Sequence, residues 1–177
     1  MPCGRRFRLP LVADTEIVHP NRDTAESKAT RAAVMLLLIT SGVLILIVML
    51  GGWSQLQGMH IVAIAYILIY FLMAYFVSKW NRGVLPVAAG MAILFTVVAA
   101  VAGPAWFDRD KEGFVDPALP PSILGMLTII LIPISILLIA FALRGLQQQW
   151  NVEVEVPRED AERYRRGDYE GGEPSPA

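Results

Sequence analysis

The sequence is poor in the residues that most metal, redox and haem sites require. Cysteine occurs once, at Cys3, which excludes a disulfide framework, a CxxC redox pair and a thiolate zinc site. Histidine occurs only at His19 and His60, so the paired axial histidines that a four-helix membrane cytochrome places within its helices are excluded. No Ser–His, Asp–Asp or HExxH constellation is visible. The sequence therefore predicts no cofactor, no metal site and no enzyme.

Charge is also scarce. Only 18% of the 177 residues are charged and 55% are hydrophobic, whereas a soluble domain has about 25% charged residues. The 15 Lys and Arg against 16 Asp and Glu leave a net charge of −1, which excludes a polybasic nucleic-acid binder. This composition is typical of a membrane protein. The lipid bilayer is therefore one predicted partner of the chain.

Four long segments lack charge altogether. Residues 32–78 contain no Asp, Glu, Lys or Arg, and these 47 residues are too many for one bilayer crossing of about 20 residues. Glycines and amides at residues 51–58 divide the run, and two further charge-free stretches follow. The segments are apolar on all sides and their connections are short, which predicts an all-α fold, a four-span transmembrane helical bundle with antiparallel neighbours. The predicted spans are about 32–50, 59–78, 84–106 and 119–143.

The chain thus divides into a leader (1–31), a transmembrane domain (32–143) and a tail (144–177). Thirteen of the 15 Lys and Arg lie in the leader, the second loop and the tail, and two lie in the third loop. The positive-inside bias therefore predicts both termini in the cytoplasm. The compact chain and the lack of an organelle signal indicate a multi-pass protein of the inner (plasma) membrane of a bacterial-type cell, with the first span as its insertion signal.

The four tryptophans fit this topology. Trp53 and Trp106 fall at the predicted outer ends of spans, and Trp80 falls at an inner end. Trp150 lies seven residues beyond the last span and is predicted to be a looser inner anchor. Indole rings at these positions are expected in the headgroup layer.

Two residues of the spans are candidates for a role beyond packing. His60 lies near the outer start of the second span and is either a quinone- or proton-contacting group or an interfacial side chain in contact with water and headgroups. The lack of a nearby acid favours the interfacial interpretation. Pro133 removes the hydrogen bond to the Ile129 carbonyl, so we expect a kink there and a hinge if the protein has a gate.

The third span carries small side chains at four-residue spacing. We predict a helix-packing face that either contacts the second or fourth span or docks another protein, and we favour the internal contact. The residues of this stripe are Ala88, Ala92, Thr96 and Ala100.

The third loop, residues 108–116, resembles the opening of a calcium-binding loop, with acids at alternate positions before Gly113. The bidentate acid expected at the twelfth position is replaced by Leu119, and Arg109 and Lys111 neutralise part of the acidic cluster. A solvated outer loop is therefore the favoured interpretation over a weak cation site.

The flanks are too short for a catalytic domain. A cap residue near Thr24 predicts a helix that runs into the first span. Residues 152–156 alternate Val and Glu, which predicts a strand that pairs either with residues 16–18 or with a partner's sheet edge. A short helix is expected at 157–166, and residues 171–177 have a disordered composition.

These patterns favour a non-enzymatic accessory or assembly subunit of a larger membrane complex, with other membrane proteins as partners. The alternative is a small oligomeric transporter or channel-like protein. Its polar path would have to use the few hydroxyls of the spans: Thr40, Ser41, Thr96, Thr128 and Ser135.

Overall fold

A computed structural model describes residues 15–56, 58–109 and 117–166 of the chain. Cys3, most of the acidic third loop and the tail beyond Arg166 lie outside the described residues, and so do the predictions made for them. The elements in chain order are β1 (Thr15–Val18), α1 (Pro20–Asp23), α2 (Ala25–Gly51), a 3₁₀ turn (Trp53–Gln55), α3 (His60–Ser78), α4 (Val84–Phe107), α5 (Pro121–Gln147), β2 (Val154–Pro157) and α6 (Arg158–Arg166).

The prediction of four membrane-spanning helices is confirmed at the level of length and composition. Helices α2, α3, α4 and α5 have 19 to 27 residues each and are apolar enough to cross a bilayer. Large side chains such as Leu36 and Ile61 point outward, with 64% and 78% of their surface exposed. Such side chains are compatible with a lipid-facing surface, because the hydrocarbon of lipid tails is as apolar as leucine.

The helix ends follow from local chemistry. Helix α2 begins seven residues before the predicted span, because the Thr24 hydroxyl accepts a hydrogen bond from the Ser27 backbone N–H at 3.2 Å and caps the first turn. Helix α5 begins at Pro121, where a missing N–H removes no helical hydrogen bond. It runs four residues beyond the predicted end, through Arg144 and Gln147.

The helices pack in the lateral order α3, α2, α5, α4. Helix α2 packs against both α3 and α5, and α4 packs most extensively against α5. Helices α3 and α4 contact each other sparingly although only five residues separate them. The short loop thus joins two helices that touch over a small area, and α4 makes most of its contacts with α5.

The two flanks form one folded unit at one end of the bundle. Strand β1 pairs antiparallel with β2, with Glu16 opposite Val156 and Val18 opposite Val154. The strand of the tail thus takes the first of its two predicted arrangements, pairing within the chain. One face of this ribbon packs Val18 and Val156 against Ala161 of α6, and each of these residues is at most 3% exposed. We call residues 15–24 and 148–166 the cap, and the opposite end of the bundle the loop end.

Candidate functional site

Trp150 joins the cap to the bundle. Its side chain is fully buried, and its ring meets that of Trp80 edge-to-face, with 5.4 Å between the centroids. The Arg31 guanidinium lies over the Trp80 ring, 4.3 Å from its centre. A Cβ atom on Gly145 would be 3.0 Å from the Trp150 ring, so the absence of a side chain at Gly145 makes room for the indole. Trp150 is therefore a core residue, and the prediction of a loose headgroup anchor is wrong.

Hydrogen bonds fix Trp150 and its neighbour Gln148 to α1 and to the first turns of α2. Its indole Nε1–H donates to Gln148 Oε1 at 3.0 Å, and Gln148 Nε2–H donates to Thr30 Oγ1 at 3.0 Å. Its backbone carbonyl accepts a 2.8 Å hydrogen bond from Arg22 Nε. These bonds join residues that are 118 and 128 positions apart in the chain. The cap is consequently held by contacts between leader and tail.

Two turns at this end of the bundle place non-glycine residues in the left-handed region. Trp80 has φ of 60° and Gln149 has φ of 47°. After α3, the backbone N–H of Asn81 returns to the Phe76 carbonyl and that of Trp80 to the Val77 carbonyl, which closes the helix end in the manner of a Schellman motif. Glycine usually occupies this position, so the packing of the two indoles offsets the cost of the conformation.

At the loop end, His60 holds the turn between α2 and α3. Its Nε2–H donates to the Trp53 carbonyl at 2.8 Å, and its ring lies 4.3 Å from the Trp53 ring. Trp53 is 51% exposed, as an interfacial ring would be, whereas Trp106 is only 3% exposed and packs over Gly52. The Trp106 indole therefore packs inside the bundle, whereas that of Trp53 faces outward. His60 makes a structural contact with the turn.

The predicted small-residue stripe of α4 turns away from the buried face along the helix. Ala88 and Ala92 are fully buried, Thr96 is partly buried and donates to the Ala92 carbonyl at 2.7 Å, and Ala100 is exposed. A four-residue step overshoots one helical turn by about 40°, so three steps rotate the stripe by about a third of a turn. The buried line instead alternates steps of three and four residues: Leu85, Ala88, Ala92, Phe95 and Ala99.

Two glycines permit a close approach of α4 and α5. A Cβ atom on Gly125 would lie 3.2 Å from the Gly103 carbonyl oxygen and 2.7 Å from the Phe107 ring. A Cβ atom on Gly103 would lie 2.8 Å from the Ile129 side chain. The four-residue spacing of Ala99 and Gly103 is the signal that could have identified this contact, because small residues let helix backbones approach in membranes.

The hydroxyls of the spans do not form one polar path among the described residues. Thr40 faces outward, while Thr128 donates to the Leu124 carbonyl of its own helix at 2.8 Å. Ser41 and Ser135 are fully buried, and their Oγ atoms have no hydrogen-bond partner in the described part of the chain. Ser135, two residues beyond Pro133, therefore makes no hydrogen bond to the Ile129 carbonyl that the proline frees. Helix α5 nevertheless continues past the proline.

An apolar cleft separates α3 from α4 in the half of the bundle nearer the loop end. It has a volume of about 210 Å³ and is lined by residues of all four long helices. Tyr66 of α3 and Phe95 of α4 form its floor, with 5.4 Å between their ring centroids. Trp106 and Arg109 line it at the loop end.

Comparisons of the chain with known proteins identify no relative. No family model, curated protein or solved structure matches the chain. Within residues 15–56, 58–109 and 117–166, no three His, Cys, Asp or Glu side chains are grouped in a way that could hold a metal ion. The cap and the cleft are therefore the two features from which a function can be argued.

Proposed function

We propose that the protein is a non-enzymatic accessory or assembly subunit of a larger membrane complex, and that the cap is its docking unit. The observation that supports this most directly is that leader and tail fold together onto the bundle through Trp150 and the β1–β2 ribbon. A two-stranded ribbon is marginal alone in water. Here α6 and the bundle support it, which gives the protein a defined polar surface outside the spans.

The outer face of the ribbon is the part of the cap best suited to contact a partner. Ile17 and Glu155 are cross-strand neighbours on this face, and Ile17 is 52% exposed. Helix α6 covers the other face through Ala161. Ile17 is therefore the large apolar side chain that the ribbon offers on the face that α6 leaves uncovered.

We expect Ile17→Asp to reduce the recovery of a partner at least about tenfold, because a buried isoleucine contributes about 1.5–3 kcal/mol to an interface. The protein is purified from its own membranes in mild detergent through a tag after residue 177, and the partner is quantified by mass and by co-elution in a complex of fixed stoichiometry. Arg163→Ala is the matched control, since Arg163 is exposed on α6, across the ribbon from Ile17. Recovery of the protein only as a species of its own mass, or equal recovery with both variants, would contradict the proposal.

The proposed orientation places the cap in the cytoplasm of a bacterial-type cell and the loop end outside. It is supported by the 13 of 15 Lys and Arg that belong to the leader, the second loop and the tail. In a Cys3→Ser background, we expect an impermeant maleimide to label Ser54→Cys in intact cells, and to label Asn151→Cys only after permeabilisation. Both side chains are exposed, at opposite ends of the bundle. The reverse pattern of labelling would invert the topology.

The transporter alternative receives less support from the packing. Thr96 and Thr128 bond to carbonyls of their own helices, and Thr40 faces outward. Ser41 and Ser135 are buried without a hydrogen-bond partner in the described part of the chain. Passage of a polar solute needs groups that replace its hydration along the whole span. Solute flux into liposomes above the background of empty vesicles would favour this alternative over the accessory role.

A further inference from the structure

The cleft is open on the lateral surface of the bundle, between α3 and α4. Val62 of α3 and Val98 of α4 line it and are 44% and 46% exposed. These two helices contact each other sparingly beyond the rings of Tyr66, Tyr70 and Phe95. In a bilayer the medium at this opening is therefore the hydrocarbon of lipid tails, and water would meet the cleft only at the loop end.

The depth of the cleft matches one leaflet. Its α4 wall runs from Phe95 to Trp106, which is roughly 16 Å at 1.5 Å per residue. The hydrocarbon of one leaflet is about 15 Å thick, half of the bilayer core of about 30 Å. The ring floor at Tyr66 and Phe95 then lies near the middle of the membrane, and the loop end of the cleft lies at the headgroups.

The lining favours a hydrocarbon chain as the occupant. It consists of aliphatic and aromatic side chains apart from Thr128, whose hydroxyl is used within α5, Arg109 and the Tyr66 hydroxyl. An apolar cavity of about 150 Å³ stays dry in other proteins and binds a molecule as small as benzene. The cleft is larger, at about 210 Å³, and it is open to lipid tails.

Arg109 supplies the charge at the headgroup level. Its guanidinium lies 4.7 Å from the centre of the Trp106 ring, and both residues line the cleft. A guanidinium binds phosphate oxygens in a bidentate manner. A zwitterionic headgroup would also bring its own ammonium group towards Arg109, whereas a net-negative headgroup such as that of phosphatidylglycerol has no ammonium group to repel it.

We propose that this cleft is a lipid site that takes one acyl chain of a net-negative glycerophospholipid from the leaflet at the loop end, with Arg109 on the headgroup phosphate. The contact is non-covalent and requires no partner protein, so a failure of this proposal leaves the accessory role untouched. The bound acyl chain fills the space between α3 and α4 that their side chains leave empty, and so keeps the two helices apart.

The test uses the purified full chain in detergent, titrated with phosphatidylglycerol or phosphatidylcholine and followed by native mass spectrometry. We expect one phosphatidylglycerol per chain to be retained in preference to phosphatidylcholine. Arg109→Gln should weaken this retention about fivefold, the effect of one cation near a membrane surface. Lys79→Gln is the matched control, because it removes one exposed cation at the other end of the bundle.

A second pair of variants tests the chain-binding part without changing charge. Ala63→Leu places methyl groups in the cleft and should weaken retention at least about tenfold, since each displaced methylene forfeits about 0.8 kcal/mol. Ala65→Leu adds the same volume to the exposed face of α3 and should bind as the natural chain does. Equal retention of both lipids, or equal effects of Arg109→Gln and Lys79→Gln, or equal effects of the two leucine variants, would overturn the proposal.

Discussion

Replacing Trp150 with alanine is expected to lower the free energy of unfolding by about 3–5 kcal/mol, the range found for large aromatic residues deleted from cores. The side chain is fully buried. Its ring packs against the Trp80 ring and fills the room that Gly145 leaves by having no side chain. Its removal would leave a cavity at the junction of the cap and the bundle. The measurement is SDS-induced unfolding in mixed micelles, followed by circular dichroism.

Two companion variants separate the causes of this effect. Trp150→Phe keeps most of the ring volume and removes the donor to Gln148 Oε1, so we expect a loss of about 1 kcal/mol, the usual net value of one hydrogen bond. Trp53→Ala removes an indole that is 51% exposed at the loop end and should cost clearly less than Trp150→Ala. If Trp53→Ala and Trp150→Ala were equally destabilising, Trp150 would not be the residue that joins the cap to the bundle.

The spans could be predicted because their signal is local. A run without charge and with about 20 residues per crossing is visible in any window of the sequence, and the four helices lie close to the predicted bounds. The start of α2 at the Thr24 cap and the start of α5 at Pro121 are equally local, since each depends on one or two residues at the end of the helix.

The cap could be predicted only as one of two alternatives. The Val and Glu alternation indicates a strand at 152–156, but its partner lies more than 130 residues earlier in the chain. The burial of Trp150 likewise depends on contacts with residues as distant as Arg22. A tryptophan just beyond a span is expected in the headgroup layer, and only the fold of the leader shows that this one is covered.

The helix contacts were harder to predict for a geometric reason. A stripe of four-residue steps rotates around the helix, so Ala88 and Ala92 are buried while Ala100 is exposed. The choice of neighbour also depends on shape: α4 lies on α5, where two glycines permit a close approach, and not on α3, which precedes it in the chain. The cleft is the space that this choice leaves open.

Substituting Gly125 with valine is expected to have the second large effect, a loss of about 1–3 kcal/mol from overpacking at the α4–α5 contact. The new Cβ atom would lie 3.2 Å from the Gly103 carbonyl oxygen, a backbone atom that cannot turn aside as the Phe107 ring could. The helices would then have to separate over a part of their contact. Because α4 contacts α5 more than any other helix, this separation would weaken the attachment of α4 as a whole.

The matched control is Gly90→Val, which makes the same substitution in the first third of α4 at a position with no heavy atom within 4 Å of the added Cβ. We expect its free energy of unfolding to stay within about 0.5 kcal/mol of the natural chain, as for other exposed substitutions. Gly125→Ala should lie between the two valine variants, because the contact with Phe107 can relax and only the carbonyl contact persists. Equal stability of Gly125→Val and Gly90→Val would mean that the close approach at Gly103 and Gly125 does not determine how α4 is held.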